Sequence, residues 1–194
     1  MTRPVTTTSA GKPVAQNGQA WYAHVMSPID VRPARPQDTE FIRGCLTEHF
    51  TSTIVVAHDE LIDATAWPTL IAWSDSVPAG LLSYRPASAN PSPAPEWEVV
   101  AIAAALPGRG AGTALLDAVR ERARAAGAGR ILLVTTNDNI NALRFYQRRG
   151  FDLVRIDRGA VDRARLKKPT IPLHADGIPM RHEIELEMVL GDPV

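Results

Sequence analysis

The chain has 194 residues, 45% of them apolar, and its 21 Lys plus Arg balance 21 Asp plus Glu. That length supports one domain with a full hydrophobic core rather than two, and a formal net charge of zero argues against nucleic-acid binding, which draws on a basic excess. The single cysteine, Cys45, has no CxxC or Cys/His cluster around it, so there is no internal disulfide and no metal site to expect; the longest apolar run, 99–106, is far short of the roughly 20 residues that span a bilayer.

Residues 1–27 are rich in Thr, Ser, Gly, Ala and Pro without periodicity and read as a disordered extension, leaving a folded domain over 28–194. They lack the apolar stretch of a signal peptide, and with one cysteine the expected setting is reducing and cytoplasmic. "IDVRPA" (29–34) alternates like a strand and is ended by Pro33 and Pro36. "QDTEFIRGCLTEHF" (37–50) reads as a helix, with Asp38 or Thr39 near its cap and Phe41, Ile42, Cys45 and Leu46 on one face. "TLIAWSDSVPAGLLSYR" (69–85) reads as a hairpin, with strands at 69–73 and 79–85 around a polar turn at 74–76. A Pro/Ser loop then leads to a buried strand at 97–106.

After a glycine-rich turn comes a helix over 112–126, with Leu115, Leu116, Val119, Ala123 and Ala126 as its apolar stripe and Gly127 and Gly129 at its end. "RILLVTT" (130–136) reads as a fully buried strand, "NDNINALRFYQRRG" (137–150) as a helix and "FDLVRID" (151–157) as a strand. In "EIELEMVL" (183–190), Ile184, Leu186, Met188 and Leu190 alternate with Glu183, Glu185 and Glu187, the pattern of a half-buried strand. The segment between these last two strands, 158–182, is too long for a hairpin loop, and such insertions more often serve function or a partner. The layout is mixed α/β with one β–α–β crossover at its centre.

The glycine turn lies in "LPGRGAGTALLDAV" (106–119). It is not a Walker A loop, since no GK pair followed by Ser or Thr is present. It is not a dinucleotide fingerprint either, because Thr113 or Leu115 falls where the third glycine belongs. What remains is a strand-to-helix turn whose helix N-terminus offers free N–H groups and the positive end of the helix dipole, a setting for a phosphate or pyrophosphate, with Arg109 as a cation beside it. On this stretch alone, a turn that binds and a turn that merely turns remain equally open.

A second stretch, "NINALRFYQRRGF" (139–151), decides between them. Together the two segments resemble the GNAT superfamily of acyl-CoA-dependent N-acetyltransferases. Its first signature is Gln or Arg, two residues, Gly, one residue, then Gly or Ala; the matching positions are Pro107, Gly110 and Gly112. Its second is an Asn, an Ala three residues on, an apolar–Tyr pair and Gly–Phe; here these are Asn139, Ala142, Phe145–Tyr146 and Gly150–Phe151. The element order agrees over roughly 29–190. Pro107 departs from the pattern, because the family uses that residue's N–H as a pyrophosphate donor and proline has none. The 158–182 insertion is a second departure.

The resemblance implies a mixed, mostly antiparallel central sheet of six to seven strands with a β–α–β acyl-CoA unit and flanking helices. It also implies transfer of acetyl from acetyl-CoA, as co-substrate and without a metal, to a primary amine of a small molecule or peptide. A protein lysine or N-terminal acetyltransferase and a non-catalytic acetyl-CoA-binding regulator are the alternatives. The cofactor residues it implies are main-chain groups at Val100 and Ile102, where the family's strand splays from its neighbour, the turn residues Gly108, Arg109, Gly110, Ala111, Gly112 and Thr113, Asn139 along the pantetheine arm, and Tyr146. Arg144, Arg148 and Arg149 lie one turn apart, facing either the CoA phosphates or solvent.

An alkylamine with a pKa near ~10.4 is protonated at neutral pH, so a base must take its proton. Glu96 and Glu98 precede the glycine turn on alternate positions; Glu98 is the expected base, its pKa raised by the apolar residues that follow. Glu96 reads rather as a solvated strand-edge charge. Tyr146 is the expected acid toward the leaving thiolate. Cys45 falls on the apolar stripe of its helix, so direct transfer without an acyl-enzyme is expected. His49 and His182 are candidates to line the acceptor site. Either a monomer or a homodimer paired through the last strand fits the sequence.

Overall fold

The computed structural model describes residues 28–86 and 95–191; the expected N-terminal extension lies outside them. In chain order the elements are β1 (Asp30–Pro33), α1 (Thr39–Phe50), β2 (Ile54–Ala57), β3 (Glu60–Asp63), β4 (Thr69–Ser74), β5 (Val77–Arg85) and β6 (Glu96–Ala103). They continue with α2 (Ala111–Ala125), β7 (Arg130–Thr136), α3 (Ile140–Gln147), β8 (Asp152–Asp157), α4 (Ala160–Lys167), the two-residue strands β9 (His174–Ala175) and β10 (Ile178–Pro179), and β11 (Glu183–Val189). Seven strands form the main sheet in the order β1-β4-β5-β6-β7-β11-β8. Only β6 and β7 run parallel, joined through α2; every other neighbouring pair is antiparallel. This is the mixed, mostly antiparallel sheet with a central β–α–β unit that the sequence leads one to expect.

Alternation along the strands sorts the apolar side chains into two layers. On one face Leu70, Leu82, Leu133 and Leu186 meet Leu115, Leu116 and Val119 of α2, together with Phe151. On the other, Ile71, Leu81, Ala101 and Ala103 meet Ile42, Cys45 and Leu46 of α1. Helix α2 closes at Ala125, so Ala126, expected on its apolar stripe, is an exposed C-cap residue instead. Among the described residues no helix is long and apolar enough to cross a membrane.

Two elements were not legible in the sequence. The hairpin β2–β3 turns on His58 and Asp59, both left-handed with φ of 53° and 60°. Such a two-residue turn is usually signalled by Asn-Gly or Asp-Gly, and here the signal is missing. The 158–182 insertion is an ordered wall, consisting of α4 and the β9–β10 hairpin. It is fastened to the end of α1 and to β2–β3: Lys168 Nζ donates to the carbonyls of Phe50 (2.8 Å) and Ile54 (2.7 Å), and Arg163 pairs with Asp59 at 3.1 Å.

Candidate active site

Strand β6 organises the site. Its parallel pairing with β7 runs only from Glu96–Arg130 to Val99–Leu133 and then stops. Toward β5, Tyr84 pairs with Val99 and Ser83 with Ala101, so Val100 is an extra residue in a bulge. A bulge bends and twists its strand, and at this point β6 and β7 part. Val100 lines a cavity on one side of the divergence, and Ile102 lines a groove on the other.

The groove, of 670 Å³, contains the glycine turn. Gly110 is the N-cap of α2 with φ of 83°, a left-handed conformation that costs glycine nothing. Gly110 has no side chain to cap this end of the 15-residue helix, and among the described residues nothing is seen to accept from its first N–H groups, whose residues line the groove. Gly112 serves packing: a Cβ there would lie 2.9 Å from Cζ of Phe145. Helix α3 supplies the opposite wall with Asn141, Ala142, Phe145 and Tyr146, and Arg149 follows just beyond its end. Arg149 donates from Nε to Thr113 Oγ1 at 3.1 Å and stacks 3.7 Å above the Phe145 ring. Arg109, Arg144 and Arg148 are exposed and do not line the groove. Pro107, Gly108, Ala111 and Thr113 do.

Tyr146 is buried at the base of the groove, edge-on to Phe145 (5.4 Å) and Phe151 (5.8 Å). Burial pushes its phenol up to about 12, so it keeps its proton at neutral pH. Asn139 is the N-cap of α3, its Oδ1 accepting from the Ala142 N–H at 3.1 Å, and it lines the cavity across β6 rather than the groove.

That cavity, of 380 Å³, has a floor of β6 and β7, from Glu98 to Val100 and from Val134 to Thr136. Its walls are the end of α1 with β2 on one side and the insertion on the other, where Val161, Ala164, Ile171 and Met180 present apolar surface. Three carboxylates line it: Glu98, Asp138 and Glu183, with relative exposures of 8%, 8% and 5%. Lys168 also lines it, but its ammonium is turned to the two carbonyls that fasten the wall. His49 lines the cavity as expected. His182 does not; its Nδ1 accepts from the Gly159 N–H at 3.0 Å, at the start of α4.

The electrostatics of Glu98 reverse the sequence expectation. Burial does push its carboxyl up, but hydrogen bonds and charge from His58 and Arg85 outweigh burial and hold it below the ordinary carboxylate value. Arg85 donates to Glu98 Oε2 from both Nε (3.0 Å) and Nη2, and His58 Nε2 lies 3.5 Å from Oε1. The same Glu98 contact lifts His58 above its usual value against the opposing effect of burial, with Glu185 and Glu183 adding to the lift. Glu96 is exposed and paired with Arg130, the surface role the sequence favoured.

Glu183 was read as a solvent-facing residue of the last strand. Instead, that face of β11 turns under the insertion at its first residue. Oε2 of Glu183 accepts from the His58 N–H at 3.2 Å, and burial raises its carboxyl above the ordinary value. Asp138 was also missed. Its Oδ1 is fully buried and has no hydrogen-bond partner among the described residues. The signal that was available is the apolar patterning of the insertion, Val161, Ala164 and Ile171, which must be laid over some neighbouring surface.

Residues 38–151 match the model of the acetyltransferase (GNAT) family. YdhI, an uncharacterized protein of Bacillus subtilis (strain 168), is 44% identical over 96 residues, which are 49% of this chain and 60% of the relative; the match thus spans about three fifths of that relative's length. Among solved structures, a Bacillus subtilis acetyltransferase in complex with CoA superposes with a TM-score of 0.64 at 24% identity, covering 84% of this chain and 99% of that one. A GNAT acetyltransferase from Elizabethkingia anophelis with acetyl-CoA bound gives a TM-score of 0.58 at 20% identity, covering 84% and 98%. At these identities the structural likenesses speak for the fold, while the family match covers more than half of the chain and carries both signature segments. On that match, the chain belongs to the acetyltransferase (GNAT) family.

Proposed function

We propose that this protein transfers an acetyl group from acetyl-CoA directly to the primary amine of a small molecule. One observation carries the reading: the parting of β6 and β7 opens a groove under an uncapped helix N-terminus on one side and a walled, carboxylate-lined cavity on the other. The groove fits the donor. The free N–H groups after Gly110 suit a pyrophosphate, Arg149 adds a cation at the groove wall, and Gly108 and Gly110 have open space where a Cβ would stand. Pro107 contributes no N–H to this set.

The cavity fits an acceptor. At 380 Å³ it lies at the small-ligand end of the usual range, and the insertion walls one side of it. Asp138 and Glu183, with which no arginine or lysine is paired among the described residues, favour an ammonium. One of them takes the proton that frees the nitrogen lone pair. Main-chain N–H groups of β6 about the Val100 bulge, left without a ladder partner on β7, are placed to meet the charge that develops on the thioester oxygen.

Tyr146 serves the departing thiolate as a hydrogen-bond donor. A thiol of pKa near ~8.5 is a stronger acid than a phenol at about 12, so complete transfer of the phenol proton is uphill and the sulfur takes its proton from the acylated nitrogen. Cys45 is 5% exposed in the α1 core, and burial pushes its thiol up to about 11, which supports direct transfer. We assign the reaction to the cytoplasm, the reducing compartment that a lone cysteine suits.

The test is thiol release from acetyl-CoA in the presence of butylamine, phenethylamine, histamine or putrescine, with the N-acetyl product identified by mass. Tyr146→Phe should lower turnover while leaving acetyl-CoA affinity within about twofold, the pattern of a group that acts mainly in the transition state. Binding of acetyl-CoA with no thiol release above background for any of the amines would instead mark a non-catalytic binder.

A further inference from the structure

The geometry points to Glu183, not Glu98, as the residue that takes the proton from the acceptor, and to a compact primary amine whose ammonium is received by Glu183 together with Asp138. The inference rests on the acetyl-transfer reading above and deepens it.

Three observations carry it. First, Glu98 is already engaged by cations. Arg85 donates twice to Oε2, and His58 Nε2 lies 3.5 Å from Oε1. Its role is to hold His58, and through the His58 main chain the β2–β3 turn, against the cavity. Second, Glu183 lines the same cavity with one described partner, the His58 N–H on Oε2 at 3.2 Å, so Oε1 is left for a ligand. It stands at the first residue of β11, opposite Thr136 on β7 and Asp157 on β8, where the sheet meets the insertion. Third, Asp138 lines this cavity, and its buried Oδ1 has no hydrogen-bond partner among the described residues. A buried carboxylate oxygen is costly to leave unsatisfied, and a bound ammonium offers it a donor.

Several charged groups surround Glu183. His58 and Asp59 are on the β2–β3 turn, Asp157 is on β8, and Glu98, Asp138 and Lys168 lie around the cavity. Burial raises the Glu183 carboxyl most, Asp157 and Asp59 reinforce it, and the His58 N–H and ring oppose it. A carboxylate so placed is a stronger base than one held down by an arginine. Its ionised form takes one proton from the ammonium. The freed nitrogen pair forms the C–N bond, the C–S bond breaks with its electron pair leaving on sulfur, and the second nitrogen proton passes to that sulfur. Glu183 then returns its proton to water, so each turnover yields amide, CoA thiol and one proton.

The test is the pH dependence of kcat/KM with acetyl-CoA and whichever probe amine, of butylamine, phenethylamine, histamine and putrescine, the wild type acetylates. The wild type should show an acid limb with its midpoint above the ordinary carboxylate value. Glu183→Gln should lose that limb and about 100-fold or more of kcat/KM, the usual scale of general-base removal. Glu98→Gln should be slower yet keep the limb, and Asp138→Asn should chiefly raise KM for the amine. Calorimetry with acetyl-CoA reports whether each variant is folded. Should Glu183→Gln not fold, Glu183→Asp replaces it, and its limb should shift while the rate falls about tenfold. A limb retained in Glu183→Gln, unmoved in Glu183→Asp, or lost in Glu98→Gln overturns the assignment and leaves the acetyl-transfer reading standing. A wild type that binds acetyl-CoA but acetylates none of the amines removes both.

Discussion

Replacing Gly110 with Ala separates a turn that binds from one that only turns. The residue caps α2 at φ of 83°, and a Cβ there would meet nothing within 4 Å. The entire penalty is therefore conformational. A left-handed Ala costs about 1–2 kcal/mol, and the loss of backbone freedom in the unfolded chain returns about 0.4–1 kcal/mol. The net destabilisation is about 1 kcal/mol, or about 2–4 °C in Tm for a domain of this size. Relaxing the strain rotates the peptide planes that begin the helix and re-aims their N–H groups. Losing one hydrogen bond to a charged ligand costs about 1.5–3 kcal/mol, roughly 10- to 100-fold in Kd. Calorimetry with acetyl-CoA should show that loss, and titration with S-acetylpantetheine, which lacks the pyrophosphate, should not. Gly112→Ala is the contrast. It gains about 1 kcal/mol of helix propensity, but its Cβ would sit 2.9 Å from Phe145 Cζ, so its effect comes through displacement of the ring beneath Arg149. An unchanged acetyl-CoA affinity in Gly110→Ala, with Tm lowered as expected, would refute the assignment of the pyrophosphate to this turn.

Other consequences follow from the same geometry. Cys45→Ser should retain turnover, because a buried thiol pushed up to about 11 is not a nucleophile at neutral pH; full loss of thiol release in a folded variant would contradict direct transfer. Lys168→Ala leaves the carbonyls of Phe50 and Ile54 without their donor and loosens the cavity wall; urea unfolding should show a loss of about 2 kcal/mol, together with a higher KM for the amine. The His58–Glu98 pair makes stability sensitive to pH at both ends. Glu98 is depressed in the fold, so its contribution is present above its unfolded value and is lost as pH falls through the folded one; His58 is raised, so its contribution is present below about 6.5 and is lost as pH rises through its folded value. Melting temperature against pH should fall on both sides for the wild type, and His58→Gln should remove the alkaline decline.

Much of the fold was legible because periodicity and turn chemistry agree with tertiary structure. The hairpin of β4 and β5, the β6–α2–β7 crossover and the alternation of β11 follow from apolar spacing and from glycines at their ends. The groove proposed for the donor was legible only through the family resemblance, since the glycine turn by itself left binding and turning equally open. The acceptor side was not. Its carboxylates come from β6, the residue pair before α3 and the start of β11, positions far apart in the chain that only the sheet order β6-β7-β11 brings together. Glu98 stands out beside a buried strand, but Arg85 on β5 and His58 on an unsignalled turn set its ionisation. Glu183 falls on the polar half of an alternating strand, and alternation cannot tell solvent from a cavity roofed by an insertion. Asn139, which the resemblance implies along the pantetheine arm, has its side chain capping α3, as Asn at that position often does.

The central claim is that the groove beneath the glycine turn binds acetyl-CoA for transfer to an amine. Calorimetric titration of the wild type with acetyl-CoA, with free CoA as the control, tests it most directly. Saturable binding in the micromolar range is expected. The absence of binding at millimolar acetyl-CoA would contradict it and would reduce the glycines at 108–112 to a turn that joins a strand to a helix.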